Sequence, residues 1–338
     1  MGSSSIRDVA ALAQVSVSTV SNVLNHPERV SPTTMRRVQD AAAKVGFVRS
    51  DAARQLGSGA SACIGLVLPD PGMPYYAELA RGAELEAARS GFSLLVGAAH
   101  HDLEREGLYL DFFHSQRVRG IVMSATENPR RLEELRRRGI SAVLIDTAGP
   151  ASPFSSVSID DVAGGQLAVE HLLDEGKRRI AFLGGLLSSA PVAARLRGAM
   201  QAVAACPGAE LQVISTSGLT VLAGRCAGEE IASRPACERP DGVFCADDLL
   251  GIGVLQGLCE LAEVAVPGEV AVVGFDDIPL AQSTVIPLSS VRRPGEMIGR
   301  MSVELLLAEV EDGARIVPRH ISCLPRIVVR SSTVARSV

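Results

Sequence analysis

No apolar run in this 338-residue chain reaches the roughly 18 residues that a membrane-spanning helix requires. The N-terminus is polar and has no signal-peptide hydrophobic region, so a cytoplasmic protein is expected. Cysteine is dispersed as Cys63, Cys206, Cys226, Cys237, Cys245, Cys259 and Cys323, without a Cys-x-x-Cys pair. Such a set reads as reduced thiols in apolar runs, neither a disulfide framework nor zinc ligands. His100-His101 is the one adjacent histidine pair and has no partner at ligand spacing, which makes it a loop or a solvated helix start. No Gly-x-Ser-x-Gly elbow occurs. Gly251-Ile252-Gly253 hints at a dinucleotide fingerprint, but these glycines fall inside a predicted helix and the next, Gly257, comes one position late. No catalytic residue, metal or cofactor is assigned, and an enzyme is not expected. The C-terminus lacks an apolar heptad, so no tetramerisation coil is expected there.

What the chain does have is a core-forming composition, 47% hydrophobic and 21% charged, at a length suited to more than one compact unit. Its charge is divided. Through Ser61, Arg7, Arg29, Arg36, Arg37, Lys44, Arg49 and Arg54 face Asp8, Glu28, Asp40 and Asp51, a formal +3, while the remainder carries −8. A basic head on an acidic body suits a nucleic-acid module joined to a module that binds something else.

The head reads as a helix-turn-helix. Ser5 and Asp8 suit a capping box for a helix over Ile6–Ala13, and Ser16 caps a second from Val17 to about Leu24. Val9, Leu12, Val15, Val20, Val23 and Leu24 form the expected interior, leaving Val17, Ser18, Ser21 and Asn22 outward. Short polar groups on that outer face can approach base edges and phosphates. Ser31-Pro32 starts a third helix, carrying Met35, Val38, Ala42 and Val45, that Gly46 stops. Asp51 to Leu56 reads as a short helix, marginal alone.

From Ala62 the texture changes to short apolar strands alternating with amphipathic helices. Runs at Ile64–Leu68, Ser93–Gly97, Gly120–Met123 and Ala142–Asp146 are followed by a second series at Arg179–Leu183, Leu211–Ile214, Gly242–Cys245 and Val270–Gly274. Strands buried on both faces predict parallel, doubly wound sheets in two α/β lobes, with a ligand cleft at their carboxyl ends. Asp70, Asp146, Asp247-Asp248 and Asp276-Asp277 follow strands; Arg195 opens a helix, and Tyr75 and Tyr76 add aromatic surface. Together they predict a polar small-molecule site.

With these residues assembled, the chain resembles the lactose-repressor (LacI/GalR) family of bacterial transcription regulators over essentially its full length. Ile6–Ala10 with Val15–Asn25, Ala52–Leu56 and Val272–Asp277 carry the resemblance. It implies an all-α helix-turn-helix head (1–48), a hinge helix and linker (49–61), and a two-lobed periplasmic-binding-protein-like domain (62–338). The lobes are expected at about 62–160 with 290–322, and 161–289 with 323–338. It places Val17, Ser18 and Asn22 at base-reading positions and Ser16, Thr19, Ser21, Asn25, Ser31 and Thr34 at phosphates, with Arg29 and Arg54 among the DNA contacts. Leu56 is implied as a minor-groove wedge. Arg195, Asp247, Asp276 and Tyr76 match effector-contacting positions, alongside Asp70, Tyr75 and Asp146 in the cleft.

Two departures stand out. Many members carry Arg where Asn22 stands, and Asn shifts preference from guanine towards adenine. The hinge opens on Ser50-Asp51 in place of the usual Asn with a preceding Pro, setting a negative charge beside phosphate. The expected protein is a homodimeric repressor, cytoplasmic and nucleoid-associated when bound, released from a near-palindromic operator by a small polar effector such as a sugar. The alternatives are a regulator whose DNA binding a corepressor enhances and a transport-type solute-binding protein.

Overall fold

A computed structural model describes residues 5–47, 61–124, 129–146, 152–185, 189–262, 264–313 and 317–335. The chain divides into two compact units, Met1–Ser61 and Ala62–Val338.

The first unit contains helices α1 (Ile6–Ala13), α2 (Val17–Asn25) and α3 (Pro32–Lys44). Ser5 and Asp8 form the reciprocal capping box at the start of α1, and Gln14 ends that helix in the left-handed conformation at φ 51°. Ser16 and Ser31 cap α2 and α3 by accepting from Thr19 N and Thr34 N. The interior is Val9, Ala10, Ala13, Val20, Val23, Val38 and Ala41, with Val15 and Leu24 partly buried against it. Leu12 does not join it and is 49% exposed. On a 3.6-residue helix it stands roughly 110° from the stripe of Ile6, Val9, Ala10 and Ala13, so the small alanines take the place expected for it.

The second unit holds two six-stranded sheets. The first runs β11-β5-β4-β3-β1-β2 and is parallel throughout. Its strands are β1 (Cys63–Leu68), β2 (Ser93–Ala98), β3 (Gly120–Ser124), β4 (Ser141–Ile145), β5 (Ser155–Ile159) and β11 (His320–Cys323). Side chains alternate: Ile64, Leu66 and Leu68 pack under α4 (Pro74–Arg89) and α11 (Gly295–Asp312), while Val67 faces α5 (Leu103–Ser115) and α6 (Pro129–Arg137).

The second sheet runs β12-β10-β9-β8-β6-β7, with only β12 antiparallel. Its strands are β6 (Arg179–Gly184), β7 (Glu210–Ser215), β8 (Gly242–Cys245), β9 (Ala271–Asp276), β10 (Ser289–Arg292) and β12 (Arg326–Val328). Helices α7 (Asp161–Asp174), α8 (Ala190–Ala205), α9 (Val221–Ser233) and α10 (Asp248–Ala262) flank it.

The lobe boundaries differ slightly from expectation. β10 pairs with β9 and β12, so the second crossing between lobes follows Arg292 and not 289; Cys323 ends β11 and stays with the first sheet. The cause is serine. Ser155, Ser156, Ser289 and Ser290 are buried in β5 and β10, where side-chain hydrogen bonds replace the apolar run that marks other strands.

Helices pair on these sheets with backbone touching backbone. A Cβ on Gly253 would stand 2.1 Å from the Val221 carbonyl oxygen, one on Gly257 2.4 Å from that of Arg225, and one on Gly224 2.2 Å from that of Leu250. The α9–α10 contact therefore requires these glycines. In the α7–α8 pair Gly165 meets the Arg195 carbonyl oxygen at 2.0 Å in the same sense, which brings Arg195 against the start of α7.

Candidate DNA-reading head and effector cleft

The head presents two helix N-termini with hydroxyl groups already organised. Ser16 Oγ accepts from Thr19 N at 3.0 Å and lies 2.7 Å from Ser18 Oγ and 2.8 Å from Thr19 Oγ1. Ser31 Oγ accepts from Thr34 N and donates to Thr34 Oγ1 at 2.9 Å. N–H groups at such helix starts favour anions such as phosphate. Along α2, Val17 is 43% exposed, Ser18 and Asn22 are exposed, and Ser21 and Thr19 are half-buried; Asn25 is the last residue of the helix. Arg29 is exposed, with a loose 3.6 Å pairing to Glu28. Arg54 and Leu56 lie outside the described residues.

In the second unit, buried charge gathers at strand carboxyl ends. Asp146, one residue beyond β4, has φ 61°; Asp276, the last residue of β9, has φ 103°. Non-glycine residues rarely adopt such backbone, and it is held here by the surrounding packing. Tyr75 OH donates to Asp146 Oδ1 at 2.9 Å. Arg195, which lies in the second turn of α8 and does not open it, donates from Nε to Asp161 Oδ1 at 2.8 Å and from Nη1 to the Ala246 carbonyl at 2.6 Å. Its Nη2 lies 4.0 Å from Asp276 Oδ1, and the guanidinium stacks 3.7 Å from the centre of the Phe275 ring. Asp247 accepts from Leu250 N through Oδ1, while its buried Oδ2 has no hydrogen-bond partner.

Sequence reasoning missed two members of this group, Arg293 and Asp161, while Asp248 stands beside Asp247 just beyond β8, as the sequence suggested. Arg293, in the segment that returns to the first lobe, pairs with Asp146 and with Asp276 Oδ1 at 3.5 Å, its guanidinium 3.5 Å from the centre of the Tyr75 ring. The Arg292-Arg293-Pro294 sequence, cations beside a helix start, was the available signal. Asp161 was hidden as the second of two helix-start acids. Asp248 accepts from Ser290 Oγ at 2.6 Å and Ile278 N at 2.8 Å. Asp70 plays a smaller part: its Oδ1 accepts from Gly72 N at 2.8 Å and shapes the turn after β1. Tyr76 is half-buried, edge-on to Tyr75 with ring centres 5.0 Å apart.

Burial sets the protonation of the group. It pushes Asp247 up to about 7, against the bond from Leu250 N and helped by the nearby Asp276 charge. It raises Asp248 well above the carboxylate range and raises Asp276 despite Arg195 and Arg293. For Arg293, burial acts to lower the value, but Asp146, Tyr75 and Asp276 outweigh it and the guanidinium stays charged. Among the described residues no group of three or more His, Cys, Asp or Glu side chains could hold a metal ion.

The head matches the model of bacterial regulatory proteins of the lacI family over residues 5–50, and residues 169–333 match a periplasmic binding protein-like domain. The ribose operon repressor of Escherichia coli (strain K12) is 31% identical over 311 residues, covering 90% of this chain and 92% of that protein. Among solved structures, the lac repressor dimer bound to operator and the anti-inducer ONPF superposes with a TM-score of 0.87 at 23% identity, covering 99% of this chain and 100% of that one. The CelR–cellobiose complex superposes at 0.69 with 28% identity, covering 97% and 99%. The chain belongs to the lacI family of bacterial regulatory proteins and is a DNA-binding transcriptional regulator, not an enzyme.

Proposed function

We propose that this regulator is a homodimeric repressor whose two heads bind a near-palindromic operator and which a sugar or sugar derivative, held between the lobes, releases. The observation that carries the reading is the buried convergence of Asp146 from one lobe with Arg195, Asp247 and Asp276 from the other. Paired carboxylates and guanidiniums accept and donate to vicinal hydroxyls, and Tyr75 and Tyr76 supply an aromatic wall. The ribose operon repressor and the cellobiose complex of CelR lend support through the sugars in their names. In the head, Val17, Ser18 and Asn22 read bases, while Ser16, Thr19, Ser21, Asn25, Ser31, Thr34 and Arg29 hold phosphates. Arg54 and Leu56 act from the hinge, Leu56 by entering the minor groove. Ligand control requires that the effector bind the two conformations of the lobes with different affinity.

The test is a thermal-shift screen of sugars and polar metabolites on the full chain, followed by operator titration with each hit. A hit that raises Tm and weakens operator binding supports the reading. A hit that strengthens operator binding replaces release with corepression, and a screen in which no polyol shifts Tm removes the sugar.

A further inference from the structure

Arg293 stands where a ligand's charge would stand. Asp146 follows the first lobe's β4 and Asp276 ends the second lobe's β9, and the Arg293 guanidinium pairs with both from the segment that joins the lobes. It lies over the Tyr75 ring, whose hydroxyl donates to Asp146 in turn. Arg293 is 4% exposed, Asp146 7%, Asp276 7% and Tyr75 3%, so solvent screens none of these pairings. Without that guanidinium, two facing buried carboxylates would form a cation site with an aromatic floor, the arrangement that captures amines and guanidines.

With Arg293 in place, the inventory of open valences changes. Asp161 and Asp276 share Arg195, and Asp276 and Asp146 share Arg293. Among the described residues, the buried carboxylate oxygens left without a partner are Asp146 Oδ2 on the first lobe and Asp247 Oδ2 on the second. Both are acceptors and call for a hydrogen-bond donor, while Arg293 Nε and Nη2, buried without a hydrogen-bond partner, call for an acceptor.

Resting on the effector reading above, we propose that Arg293 is a tethered guanidinium that fills the cation site between Asp146 and Asp276 and so makes the cleft specific for an uncharged polyol over its amino counterpart. One ligand hydroxyl donates to Asp146 Oδ2 and a second to Asp247 Oδ2. An ammonium group meets two neighbouring guanidiniums and accepts no hydrogen bond, so it leaves the buried Arg293 Nε and Nη2 unsatisfied, whereas a hydroxyl both donates and accepts.

The test uses the full chain and methylguanidinium chloride as probe. Arg293→Ala vacates the site: it should bind methylguanidinium saturably, with a rise in Tm and roughly tenfold or greater affinity over the unmodified chain. The double variant Arg293→Ala/Asp146→Asn should lose that response. Equal behaviour of Arg293→Ala and the unmodified chain overturns the proposal. Arg293→Gln, of similar length and uncharged, repeats the titration if the alanine variant does not fold. In the second arm the unmodified chain is titrated with D-glucose against D-glucosamine and D-galactose against D-galactosamine. Tighter binding of an amino sugar than of its parent also overturns the proposal. Failure of every sugar removes the effector reading instead, and the methylguanidinium arm still decides the role of Arg293.

Discussion

Arg195 and Asp161 form a buried pair, Nε to Oδ1 at 2.8 Å, at the point where the chain first enters the second lobe. Removing the cation leaves Asp161 and Asp276 short of a partner in a site that water does not reach. Arg195→Ala should therefore cost about 3–5 kcal/mol of folding stability, in addition to any loss of ligand response. Urea denaturation of the single variant and of Arg195→Ala/Asp161→Asn measures it. The double variant should recover much of the loss, and additive effects would deny the coupling.

Gly253 sets the spacing of α9 and α10. A methyl group there meets the Val221 carbonyl oxygen at 2.1 Å, and backbone cannot move aside as a side-chain tip can. Gly253→Ala should destabilise by about 1–3 kcal/mol or more, read as a lower denaturation midpoint with an unchanged slope. An alanine variant as stable as the parent would show that the two helices separate at little cost.

Asp247 makes stability depend on pH. Its carboxyl titrates at about 7 in the fold because it is buried, against an ordinary value of 3.8. Between those values the folded chain holds a proton that the unfolded chain has released, so stability falls as pH rises and levels off above about 7. Asp248 and Asp276 are raised in the same sense. Asp247→Asn should flatten the decline between pH 5 and 8 in urea midpoints without abolishing it. A parallel profile for the variant would place the titration elsewhere.

Asn22 and Arg29 should separate sequence reading from attraction to phosphate. Asn22 is exposed on the outer face of α2, so Asn22→Ala should re-rank operator variants at one symmetric pair of positions, with about 1–3 kcal/mol of discrimination at stake. Arg29→Ala should weaken all duplexes alike and make the salt dependence shallower. Binding to an operator panel at two salt concentrations distinguishes them, and an unchanged ranking for Asn22→Ala counts against base contact.

The head was legible because its caps are local. Ser5, Ser16 and Ser31 act within three residues of their own positions, and the sequence carries that information directly. Leu12 was misjudged because an apolar side chain near the stripe looks like a member of it, although alanines suffice where helices cross closely. The strands of the two lobes were visible as apolar runs, except β5, β10 and the short β11 and β12; the buried serines of β5 and β10 find partners 41 to 164 residues away in Arg330, Asp248 and Arg319. In the cleft, Asp146, Asp247 and Asp276 stand at or just beyond strand ends, where topology places ligands, and Arg195 reaches them from the second turn of α8. Arg293 escaped notice because its partners lie 17 and 147 positions away, and only the folded crossing brings the three together. The two glycines that first suggested a nucleotide fingerprint serve packing: Gly251 makes room for Leu288 and Gly253 for α9.

The chain passes between the lobes three times, and two of those passages carry Asp161 and Arg293. Points near a pivot travel least when plates swing about it. A reorientation of the lobes would therefore leave these two side chains almost still while the rims sweep ångströms. Because Arg293 holds a carboxylate of each lobe from beside that axis, any such swing would have to stretch or exchange its two pairings.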